Sequence, residues 1–241
     1  MRVWLGVIGS VAFAAILVAV TLTRTPAAER TAAITAPLFT ADPAVTARVD
    51  PDQGRGRIAH DDRAARRPPA VRGLALPIEG APLPTDPSLL PNAPRDFRAG
   101  WHEGIDFPAR TGTPVHAVAA GTILRVDREF ADWDLDARNA ALDQALQLGY
   151  TPATTLDRIR GRQVWIDHGR GIVSRYAHLS SVADLTVGDV VEAGAIIGAV
   201  GSSGYPEGGP HLHLEIRVGT SYLGDGLVGE ALLAAIGAAF D

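Results

Sequence analysis

Downstream of residue 100 the apolar positions fall into short strand-like segments, at 114–126, 162–168, 171–179, 190–200 and 211–218. Glycines punctuate them, among them Gly121, Gly169, Gly171, Gly188, Gly194, Gly201 and Gly204. Regular short strands with glycine turns predict an all-β sandwich or barrel rather than a run of βαβ units. Two segments break the pattern. Residues 130–149 carry Leu135, Leu142, Leu146 and Leu148 among Asp, Asn and Gln, which predicts a helix closed by Gly149, with a short turn to follow over 155–160. Residues 227–240 are apolar and alanine-rich and predict a C-terminal helix that docks one face on the sheet. Prolines recur from Pro82 to Pro94, so this stretch is expected to run extended along the surface.

The N-terminal third reads differently. Positions 3–22 form an apolar run broken only by Ser10 and Thr21. As a helix of ~1.5 Å rise per residue it would span the ~30 Å hydrocarbon core of a bilayer. A cleaved signal peptide has a shorter apolar stretch, ~7–15 residues, and a small-residue cleavage site, for which Thr25-Pro26-Ala27 is a poor candidate. The expectation is a single membrane-spanning anchor over 1–22, with the remainder outside the cytoplasm, or secreted if the segment is cleaved. Residues 23–72 are rich in Ala, Pro, Thr and Arg without apolar periodicity, and read as a disordered stalk. The folded domain is then 73–241.

Charge and composition narrow the function classes. The stalk carries nine arginines against six acidic residues, net +3, whereas residues 73–241 carry twelve against 21, net −9. An acidic domain of this kind is not a nucleic-acid binder by bulk charge. Cysteine is absent, so any metal site must be built from His and carboxylate. Lysine is absent too, all 22 basic residues being arginine, which rules out Schiff-base chemistry and lysine-tethered biotin or lipoate.

The candidate chemistry lies in His102-Glu103-Gly104-Ile105-Asp106 and Gly209-Pro210-His211-Leu212-His213-Leu214-Glu215. An H-x-x-x-D loop and an H-x-H strand can supply three neutral or anionic ligands to one divalent metal, and zinc accepts N and O donors. Residues two apart in a strand share a face, so His211, His213 and Glu215 can all face one cleft. Gly104 and Pro108 disfavour a helix, so the first motif is not the helical H-E-x-x-H zinc site. Tyr176-Ala177-His178-Leu179 ends another predicted strand, where Tyr176 and His178 are expected on one face. Glu215 could orient a neighbouring histidine or pair with an arginine. His168, His116 and His60 read as structural or stalk residues.

These segments resemble the M23 zinc metallopeptidases, the LytM/lysostaphin-type endopeptidases that cut peptide bonds in bacterial peptidoglycan. The resemblance rests on His102–Asp106, Gly112-Thr-Pro-Val115 leading to Gly121, Ile166-Asp-His-Gly169, Tyr176–Leu179, Gly188-Asp-Val-Val191 through Gly194, and Gly209–Glu215, in the family's order over roughly residues 100 to 220. It implies a small antiparallel β-sandwich with an open groove, and one Zn2+ per chain held by His102, Asp106 and His213. It further implies that His178 and His211 are catalytic histidines beside the metal; Glu215 and Tyr176 are expected to support them from the same strand faces. Zinc lowers the pKa of bound water and polarises the scissile carbonyl, and a histidine can take the proton from that water. Some latent members plug the zinc with an upstream asparagine; Asn92 is of that residue type, and nothing else points to it. A helical insertion over about 128–160 exceeds the family's minimal core and could form a groove wall, a dimer surface or neither.

Two other classes compete. A catalytically dead relative would bind and activate a separate wall amidase, but such regulators lack one or more of the five site residues, all present here. A carrier domain is suggested by Val187-Gly-Asp-Val-Val-Glu-Ala-Gly194, yet the chain has no lysine to carry a prosthetic group.

Overall fold

Leu212, Leu214, Ile216 and Val218 alternate with His211, His213, Glu215 and Arg217, so a strand through them shows one apolar and one polar face. In the computed structural model, which describes residues 71–241, this strand runs unbroken over His211–Val218 and organises the domain. In chain order the strands are β1 (Pro94–Arg95), β2 (Gly100–Trp101), β3 (Ile105–Pro108), β4 (Pro114–His116), β5 (Gly121–Val126), β6 (Val164–Asp167), β7 (Ile172–Ala177), β8 (Leu179–Val182), β9 (Val190–Val191), β10 (Ile196–Val200), β11 (His211–Val218) and β12 (Ser221–Tyr222). Three helices join them: α1 (Leu135–Leu148), α2 (Ala153–Arg160) and α3 (Gly229–Ala239). The expected anchor over 1–22 and the stalk to residue 70 lie outside the described residues. Among the described residues no helix is long and apolar enough to cross a membrane.

Every strand pairing among the described residues is antiparallel. The larger sheet has the order β12-β11-β7-β6-β5-β9, with β3 also paired to β11. A second sheet has the order β4-β10-β8. Ile123, Ile166, Tyr176, Leu212 and Leu214 from the first sheet meet Val115, Leu179, Ile197 and Val200 from the second in one apolar cluster. The fold is thus mainly β and antiparallel, with few helices. Leu232, Ile236 and Ala239 of α3 recur at helical spacing and bury one face against the same core.

Where the chain departs from the sequence expectation, a backbone interaction is the cause. The segment 114–126 divides into β4 and β5 because Val118 turns aside: its N–H donates to the Tyr176 hydroxyl and its carbonyl accepts from Ala75. The segment 190–200 divides at a turn in which Ala195 N–H donates to Glu192 O. β7 stops at Ala177 because His178 takes a left-handed conformation, φ 61°. Helix α1 starts at Leu135, later than expected, where the Asp134 side chain accepts from Ala137 N–H at 2.9 Å, and it ends at Gly149, φ 74°. The expected turn at 155–160 is a two-turn helix, α2. Val71, the first described residue, is already buried, and the proline-rich stretch is not wholly superficial, since Leu90 is only 2 % exposed.

Leu214 is fully buried in the middle of β11. Leu214→Ala is expected to cost about 2–5 kcal/mol in urea-denaturation stability; a cost below about 1 kcal/mol would mean that β11 is not central to the core.

Candidate metal centre

The pairing of β3 with β11 sets Asp106 directly opposite His213. Ile105 and Phe107, each 1 % exposed, point into the core, so Asp106 between them faces the polar side of the sheet. His102 arrives from the turn before β3, its N–H donating to Ala93 O and its carbonyl accepting from Asn92 N–H, both at 2.8 Å. Between His102 and Asp106 the chain passes so close to β11 that a Cβ on Gly104 would lie 2.6 Å from the Leu214 carbonyl oxygen and 2.9 Å from His213 Cε1. That close approach is why the motif has glycine at its centre.

Three atoms converge. His102 Nε2 lies 2.9 Å from Asp106 Oδ1 and 2.9 Å from His213 Nδ1, and His213 Nδ1 lies 2.8 Å from Asp106 Oδ1. The outer nitrogens assign the tautomers. His102 Nδ1 donates to Leu90 O at 2.8 Å, and His213 Nε2 donates to Glu215 Oε1 at 3.1 Å. Each neutral ring then turns a lone pair toward the carboxylate oxygen. One proton among three acceptors can bridge only two of them; a cation satisfies all three. The separations are close to the ~3.3 Å ligand–ligand edge that tetrahedral zinc with ~2.0 Å bonds would give. The residues present fit such an ion.

Electrostatics favour it. Burial opposes a charge on Asp106, but the His102 and His213 imidazoles outweigh it and hold the carboxyl well below the usual range. Burial lowers the His102 pKa and so favours the neutral ligand form. Burial also opposes charge at His213, yet Asp106 and Glu215 outweigh it and raise its pKa, so the surroundings of this ring favour positive charge. Burial opposes ionisation of Glu215 too, and Arg160 foremost reverses this and keeps it a carboxylate. Arg95 donates to the other Asp106 oxygen, Oδ2, at 3.1 Å.

His178 and His211 flank the cluster with ring centroids 4.6 Å apart. His178 Nδ1 donates to Ser203 O and His211 Nδ1 to Gly209 O, each at 2.9 Å, which leaves both Nε2 atoms without a hydrogen bond among the described residues. His211 Nε2 stands 3.8 Å from Asp106 Oδ1. Burial foremost, with His211 and His213 adding, pushes the His178 pKa down to about 3, so its ring is neutral. Its left-handed backbone is rare for a residue with a side chain.

These groups line a groove of about 430 Å³ together with Phe97, Tyr205, Leu156 and Ile159. Phe97 and Tyr205 stack at 5.1 Å across it. The structure thus brings His102, Asp106, His178, His211, His213 and Glu215 into one cleft. Tyr176 is not among them. It pairs with Leu214 on the core face, fully buried, its hydroxyl bonded to Val118 N–H and Ser174. The turn at His178 breaks the two-residue alternation on which the shared-face expectation depended. Asn92 does not plug the cluster either: its side chain bonds Gly224 O, Leu227 O and the Tyr222 hydroxyl. His168 joins Ala120 O to Ser174 Oγ, and His116 bonds Gly194 O, so both serve the framework. Sequence reasoning missed Arg95 and Arg160, distant residues with no motif around them.

Together the antiparallel sheets and the two-imidazole, one-carboxylate cluster define a β-sheet protein with a candidate divalent-metal centre in an open groove. Residues 144–224 match the model of peptidase family M23, a span holding His178, His211, His213 and Glu215. The chain is 35% identical over 117 residues to the DD-carboxypeptidase/endopeptidase Mpg of Neisseria meningitidis, covering 48% of this chain and 20% of that protein. Over 126 residues it is 32% identical to lysostaphin of Staphylococcus simulans, covering 52% of this chain and 20% of the relative. The chain thus spans about a fifth of the length of these curated relatives. Among solved structures, the catalytic domain of the prophage-encoded M23 protein EnpA from Enterococcus faecalis aligns at 28% identity, covering 51% of this chain and 75% of that one, with a TM-score of 0.36.

Gly104→Ala is expected to destabilise the domain by about 1–3 kcal/mol, because the new methyl group must push β3 off β11. An unchanged melting temperature would show that the crossing has slack.

Proposed function

We propose that this chain is a zinc-dependent endopeptidase acting on peptide bonds of bacterial peptidoglycan, with one Zn2+ held by His102 Nε2, Asp106 Oδ1 and His213 Nδ1. The observation that carries the reading is the convergence of those three atoms at 2.8–2.9 Å, with tautomers that leave each imidazole lone pair aimed at the carboxylate. Zinc bound there would supply a Lewis acid for the scissile carbonyl and a water of lowered pKa. The protein's own contribution is a pair of histidines beside the metal. His178 and His211 each have Nδ1 committed to a backbone carbonyl, so Nε2 of each is the acceptor offered to the groove. In this reading they share the roles of taking the water's proton and, once charged, stabilising the developing oxyanion. The groove is open and holds an apolar side at Phe97, Tyr205, Leu156 and Ile159, which suits an extended peptide. The match of residues 144–224 to the M23 family model and the named activity of the Mpg relative support the reaction class. The apolar run at 3–22 supports action outside the cytoplasm, tethered to the membrane.

The test is zinc content together with fragment release from purified peptidoglycan. The wild-type chain is expected to hold near one equivalent of zinc and to release fragments. His213→Ala should lose both. His211→Ala and His178→Ala should keep the zinc and lose turnover by roughly 100-fold or more, the usual scale of a general acid–base group. Zinc without cleavage would point to a latent enzyme or a different peptide substrate, and neither zinc nor cleavage to the non-catalytic activator of a wall amidase; loss of zinc in His211→Ala would make that residue a ligand instead.

A further inference from the structure

The insertion between β5 and β6 ends at the metal centre. Helix α2 is held on the body of the domain by Arg125, which pairs with both Asp157 oxygens at 2.6 and 3.0 Å. Its last residue, Arg160, is almost completely buried. Arg160 Nε donates to Glu215 Oε1 at 2.6 Å, and Nη2 donates to Glu103 Oε2 at 2.9 Å. That same Glu215 oxygen accepts from His213 Nε2. Glu215 is fully buried and its other oxygen has no hydrogen bond, the nearest guanidinium nitrogens, of Arg175 and Arg217, standing at 3.5 Å. Arg160 and His213 therefore supply the hydrogen bonds to Glu215 among the described residues.

Residues 160–162 also fix the other side of the site. The Arg160 carbonyl accepts from His178 N–H at 2.8 Å, and the Arg162 carbonyl accepts from Leu179 N–H at 3.1 Å. Arg162 N–H donates to Ser203 Oγ, and Ser203 O receives His178 Nδ1. Gly161 lies so close to Ser203 that any Cβ would collide with its carbonyl. His178 holds its left-handed backbone against this seam.

We propose that the helical insertion is a working part of the site, and that Arg160 is a positioning residue: it locks Glu215, and Glu215 fixes the orientation and tautomer of His213. The proposal rests on the zinc reading above. A carboxylate that orients a ligand histidine is worth about 10–100-fold in metal affinity, and here Arg160 supplies the other hydrogen bond to the carboxylate oxygen that holds His213. An ammonium could not reach Glu103 and Glu215 as a fork does, so the position calls for arginine.

The experiment measures zinc dissociation constants, by competition with a chromophoric chelator, on the full chain and on Arg160→Met, Glu215→Gln, the double variant and Arg125→Met, with melting curves for each. Arg160→Met is expected to weaken zinc about 10–100-fold. The double variant should bind zinc no more weakly than Glu215→Gln alone, within about twofold, because Arg160 acts only through Glu215. It also removes the buried uncompensated charge, so it reports even if Arg160→Met folds poorly. Arg125→Met loosens the same helix from outside and should lower melting without a comparable loss of affinity. Wild-type affinity in Arg160→Met, additive losses in the double variant, or an equal loss in Arg125→Met would each overturn the positioning role. A wild-type chain that binds no zinc would instead sink the zinc reading beneath it.

Discussion

Three lone pairs are aimed at one another on the polar face of a sheet, and the rest of the domain is arranged to keep them there. Neutral imidazole nitrogens do not hydrogen-bond each other without a proton, and a carboxylate beside them accepts only. Buried as they are, His102, Asp106 and His213 would repel or rearrange unless something positive were shared among them. Each outer contact closes off an escape. Leu90 O fixes His102, Glu215 fixes His213, and Arg95 occupies the second Asp106 oxygen. The ladder between β3 and β11 fixes the one separation that side chains could not fix alone, by setting Asp106 opposite His213. Metal affinity in such a design comes from ordering carried out during folding rather than at binding.

β11 can bear this load because both its edges are paired, to β7 along one side and to β3 and β12 along the other. An edge strand frays, whereas a doubly paired strand holds the directions of its side chains to the pleat. Its inner residues Leu212, Leu214 and Ile216 are almost fully buried, so a slip of one residue would bury His213 and Glu215 in the core. Hydrophobic register and site geometry are therefore the same constraint seen from opposite faces.

That identity explains what could be read from the sequence. The alternation His-Leu-His-Leu-Glu-Ile-Arg-Val announces a strand with a functional face, and His102-x-x-x-Asp106 supplies matching ligand types. Gly149 and the apolar 227–240 segment mark their helices because caps and amphipathic faces are local. What failed was also local in origin. Tyr176 and His178 would share a face in a continuous strand, but a single left-handed residue reverses the direction, and nothing around it in the sequence marks the one histidine that does so. Arg160 and Arg95 were invisible for a different reason. They meet Glu215 and Asp106 through tertiary packing, across 55 and 11 residues of sequence, and an arginine in a solvated helix looks the same on paper.

Charge completes the argument. The domain 73–241 carries a net charge of −9, yet Arg95, Arg160, Arg175 and Arg217, four of its twelve arginines, gather on the site face. Their combined field would oppose a dication, since like charges a few ångströms apart in a partly dry site cost several kcal/mol. Glu103 and Glu215 stand between three of these arginines and the histidine cluster, and Asp106 faces the fourth. Asp106 and Glu215 each face a guanidinium on one side and an imidazole on the other, while Glu103 joins Arg160 to Arg217. Glu215 is therefore held as an anion by the arginines and in turn makes His213 a richer donor. Remove the arginines and the carboxylates lose their reason to remain ionised in so buried a place; remove the carboxylates and the arginines repel the ion. Each layer of charge thus offsets the other.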